Sequence, residues 1–467
     1  MKPRITRVAA ALSVLGLFAL SGAAMATNGY FTHGVGTESK GMAGTGIGSD
    51  TANGPIIVAS NPALGVFADD SWEVGLSAFS PMRDYEATSS VAQGQGGAFT
   101  IGAGSFESGS EWFPIPYVAK NWRMGNGNAL TLLFYGRGGM NTDWDNSDAF
   151  AITDPDGPGP APVMPLPGTF GGGDAGVDLS QAFLAVNYAG KVGDNFAWGI
   201  GPVFAVQVFE AKGVGLFAGF TNTFAASGGT VFPENLTNNG HDTSTGFGGA
   251  AGIWWAMGDA VSAGLAYQSK MSMSEFDDYS DLFAEQGDFD IPANLKFGVT
   301  FHASETLDLN FDIEQIWYSD VDSVANPIQN LFACPTAMQG GMDLSSCLGG
   351  DNGGGFGWDD MTVFKAGARW EVGEDWTWRF GYSYGKQPID DDQMTFNILA
   401  PAVVQSHFTA GFTLERTPGR QFNMAVMYAP NKSQTGPQNF DGPPDLAQTV
   451  KWEMYQWEVE ASYSWRF

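Results

Sequence analysis

Apolar and polar residues alternate along much of the chain, most cleanly at its C-terminus. Tyr455, Trp457, Val459, Ala461, Tyr463, Trp465 and Phe467 are apolar or aromatic, and the interleaved Gln456, Glu458, Glu460, Ser462, Ser464 and Arg466 are polar. A period of two sustained over this length predicts a β-strand with one apolar and one polar face. Strands of soluble sheets usually stop after about five or six residues. The pattern recurs upstream. Leu295, Phe297, Val299 and Phe301 alternate with Asn294, Lys296, Gly298 and Thr300, and Phe364, Ala366, Ala368 and Trp370 alternate with Lys365, Gly367, Arg369 and Glu371. Fourteen such segments are expected, at 71–80, 112–122, 129–139, 178–190, 195–211, 247–257, 260–273, 291–302, 306–318, 361–372, 375–385, 404–415, 420–430 and 454–467. Their connections are alternately long and short. An even number of two-faced strands, with short turns at one end and long loops at the other, predicts an all-β fold: a 14-stranded antiparallel transmembrane β-barrel in the outer membrane, with short turns on the periplasmic side. The first four strands are the most interrupted, by Pro114, Pro116 and several glycines.

Two segments precede the strands. Lys2, Arg4 and Arg7 are followed by an apolar stretch from Val8 to Leu20 and by Ala24-Met25-Ala26. This reads as a cleaved secretory signal peptide over 1–26, too short to span a membrane. Residues 27–70 are Gly-rich and polar, without alternation. Such a stretch cannot cross lipid, and fourteen strands enclose a lumen that would otherwise leak. Residues 27–70 are therefore expected to form a hatch inside the barrel, with 71–467 forming the barrel itself.

Composition narrows the function. Charged residues are 15% of the chain, yet 21 Lys+Arg against 50 Asp+Glu give a formal charge of −29. Loss of the three leader cations makes it −32. A nucleic-acid partner needs a basic surface, which a pI near 4.2 excludes. Low charge content suits a wall facing lipid, and the acids gather in loops such as Asp143–Asp148, Asp277–Asp281 and Asp390–Asp392. An acidic outer rim fits a lipopolysaccharide surface. The four histidines lack ligand spacing, so no metal site or cofactor is expected. In an oxidising compartment Cys334 and Cys347 are expected to form one disulfide. Gly381-Tyr382-Ser383-Tyr384-Gly385 matches G-x-S-x-G, but it lies within an alternating strand rather than at a strand–turn–helix elbow. No enzyme is expected.

Gly41-Met42-Ala43-Gly44-Thr45-Gly46, followed by Asn61-Pro62-Ala63-Leu64, resembles the N-terminal hatch of the FadL/TodX outer-membrane transporters of fatty acids and other hydrophobic compounds. The resemblance continues through Pro116-Tyr117-Val118-Ala119-Lys120 and the strand from Ala129 to Met140, and through later strand pairs. It implies a fourteen-stranded barrel with a hatch, capture of a fatty acid or hydrocarbon by outer loops, a lumenal site, and sideways release into the membrane. It also implies a kink in the third strand, here at Gly136, Gly138 and Gly139. Outer-loop capture points to Leu216, Phe217, Phe220, Phe224, Phe232, Phe276, Leu282 and Phe283, since exposed apolar loop residues are costly unless they bind or pack. A carboxylate ligand needs a lumenal cation. Lys296, Lys365, Arg369 and Arg379 all point inward by the alternation, although Asp308, Asp312, Glu314 and Glu371 also point inward and could pair with them. The terminal Tyr463, Trp465 and Phe467 resemble the signal read by the barrel-assembly machinery. Further partners are outer-membrane lipid, and a monomer is expected. The competing class is a diffusion porin or a structural or adhesive barrel, which needs neither hatch nor apolar outer loops.

Overall fold

The computed structural model describes residues 27–51, 54–90, 100–145, 147–152, 163–336, 341–441 and 447–466. The leader at 1–26 and the terminal Phe467 lie outside the described residues. Fourteen strands form the wall: β1 Ser71–Ala87, β2 Phe113–Arg123, β3 Ala129–Trp144, β4 Gly172–Val192, β5 Phe196–Gly213, β6 Asp242–Ala256, β7 Val261–Gln268, β8 Asn294–Ser304, β9 Leu307–Ile316, β10 Met361–Val372, β11 Trp376–Gly385, β12 Ser406–Thr417, β13 Arg420–Pro437 and β14 Thr449–Arg466. Each is antiparallel to the next, and β14 closes on β1 from Ser71 opposite Arg466 to Ala87 opposite Val450.

The alternation places the strands correctly, but their ends differ from expectation. β1, β3 and β13 run on to Ala87, Trp144 and Pro437. In the β1 and β3 extensions Tyr85 and Trp144 are buried inward while Asp84, Glu86 and Asp143 face outward, so the apolar-outward alternation stops while the hydrogen-bond ladder continues. β8 starts at Asn294 rather than 291, because Ile291 instead bridges Met271. β7 breaks after Gln268 and resumes its pairing with β6 only at Ser272–Met273. Within regions expected as loops, Thr100–Ile101, Asp148–Ile152 and Val163–Pro167 form a small separate sheet.

Burial is inverted relative to a soluble sheet. Leu76, Phe311, Phe364, Phe380 and Phe408 on the outer face are about half exposed, while Glu458, Glu460, Lys365, Asn310 and Ser383 are buried. Apolar side chains belong in lipid and polar ones in the lumen. Strands also satisfy every backbone group by pairing, which a lipid-exposed loop cannot.

Residues 27–51 and 54–70 fill that lumen. They form a helix at Thr37–Lys40 and 3-10 turns at Pro55–Ala59 and Pro62–Val66. Asn61 caps the second turn, its side-chain oxygen accepting from Ala63 N at 3.0 Å. Its Nδ2 donates to Ile47 O at 2.9 Å and to Ile253 O of the wall at 3.1 Å. Glycines on lumenal strand positions let the wall come this close. A Cβ on Gly381 would lie 2.3 Å from the Met42 carbonyl carbon, and one on Gly264 2.0 Å from Ile47 O. The high glycine content is thus partly a contact surface for the hatch.

Candidate transport site

The barrel wall is not continuous. β2 and β3 pair from Arg123–Ala129 only as far as Tyr117–Tyr135. Above that point Phe113–Pro116 stay paired with β1, and Gly136–Trp144 stay paired with β4, so the two strands part. Pro114 and Pro116 have no N–H to offer a ladder. β3 carries a bulge there, with Gly136 opposite Ala182 and Gly138 opposite Gln181, which leaves Arg137 as the extra residue. A bulge bends its own strand. A Cβ on Gly138 would lie 2.0 Å from Gln181 Oε1, so a side chain there would displace the Gln181 amide. The three glycines expected to kink this strand therefore bracket its bulge.

The freed edge of β3 is taken by the first residues of the hatch. Phe31 forms a bridge with Gly138, Thr32 N donates to Arg137 O at 3.0 Å, and Gly139 N donates to Tyr30 O at 3.0 Å. The Phe31 ring lies 4.7 Å from the Arg137 guanidinium, and Tyr30 packs on Tyr318 at 5.2 Å. Above the gap, Gly109 N donates to Asp143 O at 2.8 Å, and Arg83 of β1 donates to Ser110 O and Asn141 O. The gap is a window with a floor, a lintel and a hatch segment seated in it.

The expected lumenal cations all point inward and all have partners. Lys365 donates to Glu314 at 2.7 Å and to His33 O of the hatch at 2.8 Å. Arg369 pairs with Glu371 at 2.7 Å and Asp308 at 3.6 Å. Arg379 pairs with Glu38, a hatch residue rather than any of the acids expected. Lys296 lies 3.7 Å from Glu314. Asp312 serves the hatch backbone instead, accepting from Gly46 N at 2.8 Å and Ile47 N at 3.2 Å. Two cations that alternation alone did not single out matter as much. Arg137 sits in the bulge, and Lys40 of the hatch pairs with Glu458 and, at 2.6 Å, with Glu460. A run of Gly and Met around Lys40 carried no signal for that pairing.

Over the lumen the long loops fold inward around an apolar cavity. Phe217, Leu282 and Phe283 line it, with Phe209, Val214, Phe356, Phe396 and Leu399. It encloses only about 30 Å³, room for a couple of waters. A larger guest enters only if side chains or loops shift. Phe276 backs this cavity, its ring 5.5 Å from that of Phe209, while Phe220 packs on Phe440 at 5.3 Å and Leu216 against Gly171. Phe224 and Phe232 stack on each other at 5.2 Å, and Phe232 is largely exposed. Half of the expected capture set thus meets at one place. Phe356, Phe396 and Leu399 were missed because they come from loops far along the chain.

The family model for the outer membrane protein transport proteins (OMPP1/FadL/TodX) matches residues 166–465. The chain belongs to the FadL/TodX family. Solved structures agree in fold. The Pseudomonas putida toluene transporter TodX is similar at a TM-score of 0.61 and 15% identity, over 94% of this chain and 100% of that one. The Pseudomonas aeruginosa FadL homologue follows at 0.60 and 17%, over 94% and 100%. The Ralstonia pickettii toluene transporter TbuX stands at 0.56 and 16%, over 93% and 99%. Among curated proteins no relative matches.

Other expected residues of this FadL/TodX chain also find places. Cys334 and Cys347 are joined in a disulfide, with their Cα atoms 4.9 Å apart. Next to it Leu348 N donates to Phe220 O at 2.9 Å, so the bridge supports the loop holding Phe217 and Phe220. Tyr463 and Trp465 face outward on β14, 6.0 Å apart. Ser262 Oγ, His302 and Asp308 stand in line at 3.3 and 2.8 Å. Ser262 is buried, and its hydroxyl donates to Gly48 O at 2.7 Å rather than to the imidazole. The wall here grips the hatch: Trp254 Nε1 also donates to Gly48 O at 2.9 Å, and Thr51 Oγ1 donates to Asp308 at 2.8 Å. The family is one of transporters, and this arrangement fits a latch.

Proposed function

We propose that this FadL/TodX family member takes up hydrophobic molecules, long-chain fatty acids among them, across the outer membrane and releases them sideways through the window between β2 and β3. The supporting observation is the parted wall with hatch residues Tyr30–Thr32 seated in it. In this reading a guest enters the apolar cavity beneath the outer loops, passes into the lumen, and leaves for lipid when the hatch segment lifts from β3. A wall opening toward lipid suits an apolar cargo, because the cargo never has to cross water. The similar solved proteins are described as a toluene transporter and a monoaromatic hydrocarbon channel, which supports a hydrophobic cargo.

The same reading assigns residues 1–26 to a cleaved leader, 27–70 to the hatch and 71–467 to the barrel. Tyr463, Trp465 and Phe467 would present the chain to the assembly machinery. The test is a deletion of Arg137, which removes the extra residue and restores continuous pairing of β3 with β4. Uptake of a labelled fatty acid by cells carrying this variant should collapse, while the barrel still shows its heat-dependent gel shift. Undiminished uptake with a folded barrel would sink the sideways route. Large ion conductance through the intact protein in planar bilayers would favour a porin.

A further inference from the structure

Above the hatch segment the two edges of the window are joined by a side chain rather than by backbone. On β3 every second residue turns its backbone toward the gap. Arg137 and Gly139 hold hatch residues Thr32 and Tyr30, at 3.0 Å each, and Asp143 holds Gly109 at 2.8 Å. Asn141 stands between these two sets, beyond the point where β2 stops pairing with β3. Its carbonyl oxygen instead accepts from Arg83 Nη1, while Arg83 Nη2 donates to Ser110 O on the opposite edge. Two carbonyls facing one gap cannot pair with each other, and the guanidinium supplies the protons both of them need.

This clasp belongs wholly to the wall. Arg83 is buried, Ser108 Oγ lies 3.4 Å from its Nη2, and the Phe113 ring lies 5.8 Å from the guanidinium. None of these partners is a hatch residue, so the clasp stays in place when Tyr30–Thr32 lift away. An apolar cavity of about 10 Å³ lies against Arg83 and Asn141, walled by Met140, Trp358, Pro401 and Met454. Trp358 also packs on Tyr30, with 5.9 Å between the rings, so a guest that displaces Tyr30 arrives beside Arg83. With the clasp, the opening is the slot that Tyr30–Thr32 vacate. Without it, the free edge of β3 would run on through Asn141 and Thr142 to the bond at Asp143. Two residues of extended chain add about 7 Å to the opening.

We infer that Arg83 is a specificity-determining residue of the exit: it fixes the upper limit of the window and thereby the widest cargo that leaves through it. The inference rests on the sideways route above and adds a size limit to that route. A slim chain passes through the slot end-on, and a broad ring needs the part that Arg83 holds shut.

Dodecane and cyclododecane have the same number of carbons and no polar group, and they differ in width. Initial uptake of each deuterated hydrocarbon is measured in Gram-negative cells that carry the full-length protein and no other member of its family, after subtraction of the rate in empty-vector cells. The native protein should take up dodecane faster. Arg83→Met should raise the ratio of cyclododecane to dodecane uptake by about tenfold, the scale on which apolar fit discriminates, and should leave the dodecane rate little changed. Arg83→Lys still offers donors to both carbonyls and should keep the native ratio. A wall that was merely weakened would change both rates together and leave the ratio alone. The heat-dependent gel shift reads folding. If Arg83→Met does not fold, Arg83→Gln, with one amide for two carbonyls, should move the ratio in the same direction. Equal native rates for the two hydrocarbons, or an unchanged ratio in the folded variant, would overturn the size limit and leave sideways uptake standing. If neither hydrocarbon enters faster than in empty-vector cells, the uptake reading itself fails.

Discussion

Lys40 is the place where one substitution should unseat the hatch. Its ammonium lies between Glu458 and Glu460 of β14, and all three side chains are at most 5% exposed. Glu460 also accepts from Thr37 Oγ1 at 2.9 Å, so the whole Thr37–Lys40 turn is tied to this strand. Lys40→Met keeps the length and apolar stem but removes the charge. Two lumenal carboxylates are then left beside each other. Removing one partner from a buried ion pair costs about 3–5 kcal/mol. Uptake of a proton by one carboxylate draws the cost toward the lower figure. Even about 3 kcal/mol changes the ratio of seated to unseated hatch by roughly a hundredfold. An unseated hatch opens the lumen to ions, so single-channel conductance in planar bilayers reads the change directly. The native protein should be nearly silent, and Lys40→Met should show frequent open events. Adding Glu458→Gln and Glu460→Gln replaces the entire charged set with neutral groups, a change that is often near neutral for stability. The triple variant should therefore fall silent again. A Lys40→Met protein as quiet as the native one, or a triple variant as leaky as the single, would refute the argument that this charge cluster seats the hatch.

Two further outcomes follow from the same physics. Gly381→Val puts a strand-favouring residue where a Cβ would lie 2.3 Å from the Met42 carbonyl carbon and 2.4 Å from Ala43 N. Overpacking of that kind costs about 1–3 kcal/mol, so the variant should leak in planar bilayers, less than Lys40→Met, and a silent variant would show that the hatch simply shifts aside. In the outer loop before β8, burial and then the neighbouring Asp290 and Glu285 push the Asp288 carboxyl up to about 7. A raised acid favours its protonated form in the folded loop. That stabilisation is complete below about pH 4 and is lost as pH rises through about 7. Amide protection factors across residues 274–291, corrected for the intrinsic pH dependence of exchange, should accordingly rise on acidification from neutral pH, and Asp288→Asn should flatten the dependence. The same slope in Asp288→Asn would remove Asp288 as its source.

The candidate site was less legible than the fold. The bulge was visible as a cluster of glycines on β3, but the parting of β2 from β3 was not. Pro114 and Pro116 read as interruptions that made the strand insecure. In the structure they mark the stretch where β2 has one neighbour instead of two. Alternation also turned Lys296, Lys365, Arg369 and Arg379 inward, and in the structure all four are buried. It could not tell that Arg379 pairs with Glu38, because the two lie 341 positions apart and one belongs to the hatch.

The chain by itself determined the number of wall strands and which face of each meets lipid. It also marked residues 27–70 as something other than wall. Those properties are local: a pleated strand shows alternate residues to opposite sides, and lipid accepts only one kind of side chain. Only the tertiary structure decided where the wall opens, which residues of the hatch stand in the opening, and how Lys296 and Lys365 come to share one carboxylate. Those outcomes depend on barrel closure, which brings together residues hundreds of positions apart, and on a hatch whose own sequence has no periodic signal.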